Sequence, residues 1–79
     1  MEKKHSVIIY STPTCPYCVM AKEFFEEKGV PYTDIDVSQD QRGAEEMIQK
    51  SGQMGVPVVD IDGNIMVGFQ PKAFTAFLS

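Results

Sequence analysis

The stretch Val7-Ile8-Ile9-Tyr10-Ser11-Thr12-Pro13-Thr14-Cys15-Pro16-Tyr17-Cys18 decides the fold. Its first four residues form a short apolar run that enters a Ser-Thr-Pro-Thr cluster, the pattern of a buried strand giving way to a loop. Its last four residues open a helix. Pro16 suits the first helical position, where a missing N–H leaves no bond unmade. Beyond it, Tyr17, Ala21, Phe24 and Phe25 recur at helical spacing, with Lys22, Glu23, Glu26 and Glu27 on the other face. Gly29 supplies a stop and Pro31 prevents resumption.

The rest of the chain continues in the same rhythm. Residues 32–37, Tyr-Thr-Asp-Ile-Asp-Val, alternate like a half-exposed strand. Ser38 or Asp40 can cap a second helix with Ala44, Met47 and Ile48 as its buried stripe and Gly52 as its stop. Val58-Val59-Asp60-Ile61 and Asn64-Ile65-Met66-Val67 flank Asp62-Gly63, the signature of a two-residue hairpin. Gly68 breaks the hairpin, and Pro71 opens a last helix whose apolar face is Phe74, Phe77 and Leu78. The expected architecture is α/β, β-α-β-α-β-β-α, a four-stranded mixed sheet flanked by three helices in a single domain over residues 1–79. Met20, Met47, Met54 and Met66 are expected to fill the core, and His5 to be solvated.

Cys15 and Cys18 are the only cysteines. A bridge between them closes too short a loop to stabilise the fold much, which leaves reactivity or metal binding as the reason for the pair. A zinc site needs about four ligands, and the only other soft donor is His5. No metal is therefore expected. Residues three apart on a helix share a face and can bridge. Cys15, at the helix start, lies over free N–H donors and the positive end of the helix dipole, which favours its thiolate. A lower thiol pKa raises the thiolate fraction but lowers intrinsic nucleophilicity, so its larger effect is to make Cys15 a good leaving group. Cys15 is assigned as nucleophile. Cys18, one turn inside, is expected to be more buried and to resolve the mixed disulfide. Tyr17 flanks the site, and Lys22 can add positive field.

Charge and hydropathy narrow the function further. A net charge of −4 lacks the basic stripe of a nucleic-acid binder. No apolar run approaches the roughly 20 residues that span a bilayer. The apolar stretch after Met1–His5 is too short for a signal-peptide core of about 7–15 residues. A cytoplasmic, soluble, monomeric protein is expected, and in a reducing compartment a Cys-x-x-Cys pair is catalytic or metal-binding more often than structural.

Cys15-Pro16-Tyr17-Cys18, with Gly55-Val56-Pro57 and Val67-Gly68-Phe69 behind it, resembles the glutaredoxins. The resemblance runs from about Val7 to Leu78 and implies a thioredoxin-like fold. It also implies that Pro57 is a cis proline beside the cysteines and that the cosubstrate is glutathione. In this reading glutathione is held by Tyr17, by the backbone of Val56 and Pro57, and by Gly68, Phe69 and Gln70. Glutaredoxins usually carry Lys three residues before the first Cys, facing a glutathione carboxylate, where this chain has Thr12. Gly55 stands where they usually have Thr, and Val67 where they usually have the first of two Gly. An unreplaced charge-assisted contact is worth about 1.5–3 kcal/mol, with Gln53 or Lys50 as candidate replacements.

Gly68-Phe69-Gln70-Pro71 also resembles a segment of the glutaredoxin-like electron donors of ribonucleotide reductase, which are recycled by thioredoxin reductase. The expected substrates are protein disulfides or glutathione mixed disulfides, with ribonucleotide reductase or thioredoxin reductase as further partners. Some glutaredoxins instead carry an iron–sulfur cluster between two protomers. Pro16 speaks against that here.

Overall fold

In a computed structural model that describes residues 5–78, strand β1 (Val7–Ser11) leads into helix α1 (Pro16–Glu27). There follow β2 (Thr33–Asp36), α2 (Gln41–Ser51), the hairpin β3 (Val58–Ile61) and β4 (Asn64–Val67), and α3 (Pro71–Leu78). The strands lie in the order β2-β1-β3-β4, with β1 and β2 parallel and the other pairs antiparallel. This is the expected mixed sheet with three helices.

Local chemistry accounts for most of the element ends. Asp62 and Gly63 both take positive φ, as the hairpin turn requires. Asp40, not Ser38, caps α2 by accepting from the Gly43 N–H at 2.9 Å. Ser38 instead donates its backbone N–H to Asp36 at 3.0 Å. Gly52 ends α2 in the left-handed region.

Strand alternation splits the core into two faces. Val7, Ile9, Val59, Ile61 and Met66 point to one side, where Ala21 and Phe25 of α1 and Phe74 of α3 cover them. Tyr10 and Val58 point to the other, where Met47 of α2 covers them, with Ile8, Ile35, Val37 and Ile65 half-buried around them.

Several side chains depart from the expected stripes. The buried line of α1 is Cys18, Ala21 and Phe25, so Tyr17 and Phe24 lie on its flank. Phe24 is covered by Phe74, ring centroids 5.5 Å apart, whereas Tyr17 is 60% exposed. In α2 the contact centres on Gly43 and Met47, and Ile48 is turned outward. The reason is closeness: a methyl at Gly43 would collide with the Ile35 side chain, so only glycine lets the helix seat there. Met47 and Met66 are core, but Met20 and Met54 are exposed, and so is Phe77. His5 is not simply solvated; its Nδ1 lies 2.6 Å from the Asp62 carboxylate at the hairpin turn.

Lys50 is committed to the fold and is no replacement for a ligand contact. Its Nζ donates to the Tyr10 hydroxyl and to Asp60, each at 2.8 Å, beneath the α2 face. Burial pulls its pKa down, but those two hydrogen bonds outweigh burial and the net shift is upward. Asp60 is 7% exposed inside β3, a position the run Val58-Val59-Asp60-Ile61 gave no reason to treat as a partner for residue 50.

Candidate active site

The chain between β1 and α1 brings the two cysteines together at one end of the sheet. Cys15 is the N-cap of α1, with extended backbone, and its Sγ accepts the Cys18 N–H at 3.2 Å. Its own N–H is donated to the Thr12 carbonyl at 3.4 Å. The capping role is thus filled by sulfur, in the place where Ser or Asp usually supplies oxygen. Both cysteines are free thiols; Cys15 is half-buried and Cys18 fully buried.

Their surroundings separate their roles. Burial pushes the Cys18 thiol up to about 12, and contact with Cys15 adds to this. A backbone hydrogen bond from Thr12 and the charge of Lys22 act the other way. Cys18 therefore keeps its proton while Cys15 faces the surface.

Two distant loops complete the site. The Val56–Pro57 peptide is cis, as the resemblance implied, and the Val56 carbonyl lies 3.9 Å from Cys15 Sγ. Pro57 is buried, and its carbonyl accepts the Gly68 N–H at 2.7 Å. Gly68 has φ +89°, a conformation that favours glycine. Thr12, Cys15, Cys18, Val56, Pro57 and Gly68 thus form one connected set.

The remaining expected residues sit at its margin. Phe69 packs downward against Phe24 and Phe74. The Gln70 amide turns back to donate to the Val67 carbonyl at 2.6 Å. Gln53 is likewise occupied, bridging Ser51 and the Gly55 carbonyl. Among the described residues, no group of three or more His, Cys, Asp or Glu is placed to hold a metal ion. No helix among them is long and apolar enough to cross a membrane.

Sequence reading named Lys22 as a source of positive field but missed the partners that hold it beside the site. Lys22 Nζ lies 2.8 Å from Asp34, whose other oxygen accepts from the buried Ser11 hydroxyl at 2.7 Å. The spacing of Cys18 and Lys22, four residues apart on a helix, was a signal that the two share a face. Nothing local announced that Asp34 on β2 would meet them.

A thioredoxin-like fold presenting a half-buried thiol over a buried one at a helix start defines a thiol–disulfide oxidoreductase. The chain belongs to the glutaredoxin family, whose family model, Glutaredoxin, matches residues 7–66. It is 52% identical over 61 residues to an uncharacterized glutaredoxin-like 8.6 kDa protein in the rubredoxin operon of Clostridium pasteurianum, covering 77% of this chain and 81% of that one. It is 38% identical over 63 residues to Glutaredoxin 3 of Escherichia coli, covering 80% and 76%. Among solved structures it is similar to the glutaredoxin-like protein NrdH-redoxin from Escherichia coli, with TM-score 0.81, 25% identity, and 90% and 92% of the two chains covered.

Proposed function

We propose that the protein reduces protein disulfides and glutathione mixed disulfides in the cytoplasm as a monomer, with glutathione as its reductant. Cys15 is the nucleophile and Cys18 the resolving thiol. The observation that carries this reading is the asymmetry of the pair. Cys15 is half-buried and accepts a helix N–H, whereas Cys18 is fully buried and holds its proton.

The Cys15 thiolate attacks one sulfur of the substrate disulfide, forming a mixed disulfide and expelling the other sulfur as a thiolate. Cys18 then gives up its proton and attacks Cys15 Sγ. This forms the Cys15–Cys18 disulfide and releases the reduced substrate, which takes a proton. Two glutathione molecules restore the dithiol and leave as oxidised glutathione. The backbone at Val56 and at Gly68 offers main-chain groups to an extended thiol ligand, with Tyr17, Pro57, Phe69, Gln70 and Thr12 around it.

A second reading is supported by a specific observation. Thr12 supplies no cation, and Lys50 and Gln53 are bound within the fold. That weakens the charged contacts a glutathione carboxylate would use, and it favours an electron donor recycled by thioredoxin reductase, as Gly68-Phe69-Gln70-Pro71 also implies.

One assay separates the two. The protein is recycled with NADPH and either glutathione plus glutathione reductase or thioredoxin reductase alone. Turnover is expected in the first arm; turnover confined to the second would replace glutathione as the reductant. Cys15→Ser is expected to abolish both. Cys18→Ser is expected to keep activity on glutathione mixed disulfides, because a second glutathione can resolve them directly. Wild-type turnover in Cys15→Ser would refute the assignment.

A further inference from the structure

The resolving step poses a problem that the nucleophilic step does not. Cys18 must become a thiolate while fully buried, in a position that penalises charge. Something must compensate that charge when it forms.

Three groups converge on the side of α1 that faces the sheet. Lys22 follows Cys18 by one helical turn, on the same face. It is held there by Asp34 at 2.8 Å. Asp34 is itself held by the Ser11 hydroxyl at 2.7 Å, and Ser11 is 1% exposed. Asp34 lies opposite Ile9 in the parallel β1–β2 register, so its side chain shares the α1 face of the sheet rather than the α2 face. Residues 11 and 12 thus serve the same cysteine by two routes. Thr12 gives its backbone hydrogen bond to Cys18, and Ser11 anchors the carboxylate that fixes Lys22.

We propose that Lys22, fixed by Asp34 and Ser11, is the positioning cation for the resolving thiolate of Cys18. The proposal rests on the assignment of Cys18 as the resolving thiol. Cys15 and Lys22 are the titratable groups that act most on the Cys18 thiol. Once Cys15 is tied up in a mixed disulfide it carries no charge, and Lys22 remains beside Cys18 on the same helix face. Asp34 pairs with the flexible ammonium and restricts where it can turn. As Cys18 loses its proton to water, the thiolate forms within the field of Lys22. The sulfur then bonds to Cys15 Sγ, and the partner sulfur leaves with the electron pair of the broken bond.

The field of Lys22 at Cys18 is partly cancelled by the Asp34 carboxylate paired with it, so the expected change in thiolate population is small, about fourfold. Because nucleophilicity moves in the opposite sense, the rate change near neutral pH is about twofold to fourfold.

The test mixes the reduced full-length protein with an aromatic disulfide that releases a coloured thiolate. The first phase reports attack by Cys15, and the second reports attack by Cys18 on the mixed disulfide. In Lys22→Met the second phase is expected to slow about twofold to fourfold near neutral pH and its pH profile to move upward, with the first phase changed by less. Lys22→Arg is expected to restore both. Lys22→Gln serves as a second neutral variant if Met disturbs folding, with the same expected result. A second-phase pH profile that superimposes on wild type in the neutral variant would overturn the proposal. So would a Lys22→Arg profile displaced as far as the neutral one. If the wild-type protein shows no first phase, the failure lies instead with Cys15 as nucleophile.

Discussion

The two faces of the sheet are closed by different chemistry. Against α1 and α3, five aromatic rings meet: Phe24, Phe25, Phe69 and Phe74 at centroid distances of 5.2–6.5 Å, with Tyr32 against Phe25. Against α2 the fully covered apolar residues are Tyr10, Met47 and Val58, and the face is completed by Lys50 bound to Tyr10 and Asp60. The first face holds the helix whose start carries both cysteines, so this packing positions the site. The second uses an ionic tie where apolar volume runs short. Such a tie gives little net stability over apolar packing but costs much when half of it is removed.

Three measurements press on that contrast. The largest effect is expected on the aromatic face. Phe25→Ala should lower unfolding stability by about 3–5 kcal/mol, read as a drop in denaturant midpoint with unchanged slope. A loss no larger than that of a surface substitution would mean that the ring cluster does not carry this face.

On the other face, Asp60→Ala should cost about 2–3 kcal/mol, because it leaves Lys50 only the Tyr10 hydroxyl and the more distant Glu46 carboxylate and removes the carboxylate that accepts the Gly63 N–H at 2.7 Å. The double variant Lys50→Met with Asp60→Asn keeps an acceptor for Gly63 and removes both charges. It should recover most of that loss. A double variant as unstable as the single one would show that the ionic tie has net value.

The smallest effect, read between about pH 9 and 10, is a pH slope shared by both faces. Burial raises the pKa of Cys18 on one face and of Tyr10 on the other. Each group holds its proton more tightly folded than unfolded. Stability from Cys18 is therefore complete below the ordinary thiol value of 9.0 and is lost as pH rises toward about 12. Cys18→Ala should flatten the alkaline fall in stability of the reduced protein, and oxidation to the disulfide should do the same. An unchanged slope in both would place the alkaline sensitivity elsewhere.

Much of the fold was legible because its signals are local. Asp62-Gly63 between two apolar runs specifies a hairpin from turn chemistry alone. Pro16 after Cys15 and Pro71 after Gln70 mark helix starts. The misreadings share one cause. Periodicity names a stripe but not its centre, and the centre is set by the partner surface. Ala44 was expected in the contact that Gly43 makes, because only the closeness of Ile35 selects the residue without a side chain. Tyr17 was grouped with Phe24, yet only Phe24 meets α3. The exposure of Met20 and Met54 was likewise hidden, since methionine suits core and surface alike.

By itself, the sequence determined the order of elements, the helix start at Cys15 and the inequality of the two thiols, because turn residues, caps and helical spacing act over a few neighbours. Only the tertiary structure decided what stands against those thiols. The Val56 carbonyl reaches Cys15 across 41 residues of chain, Gly68 pairs with Pro57, and Asp34 on β2 pairs with Lys22, one helical turn after Cys18. Each of these meetings depends on the strand order β2-β1-β3-β4, which sets distant residues side by side and which no local pattern contains.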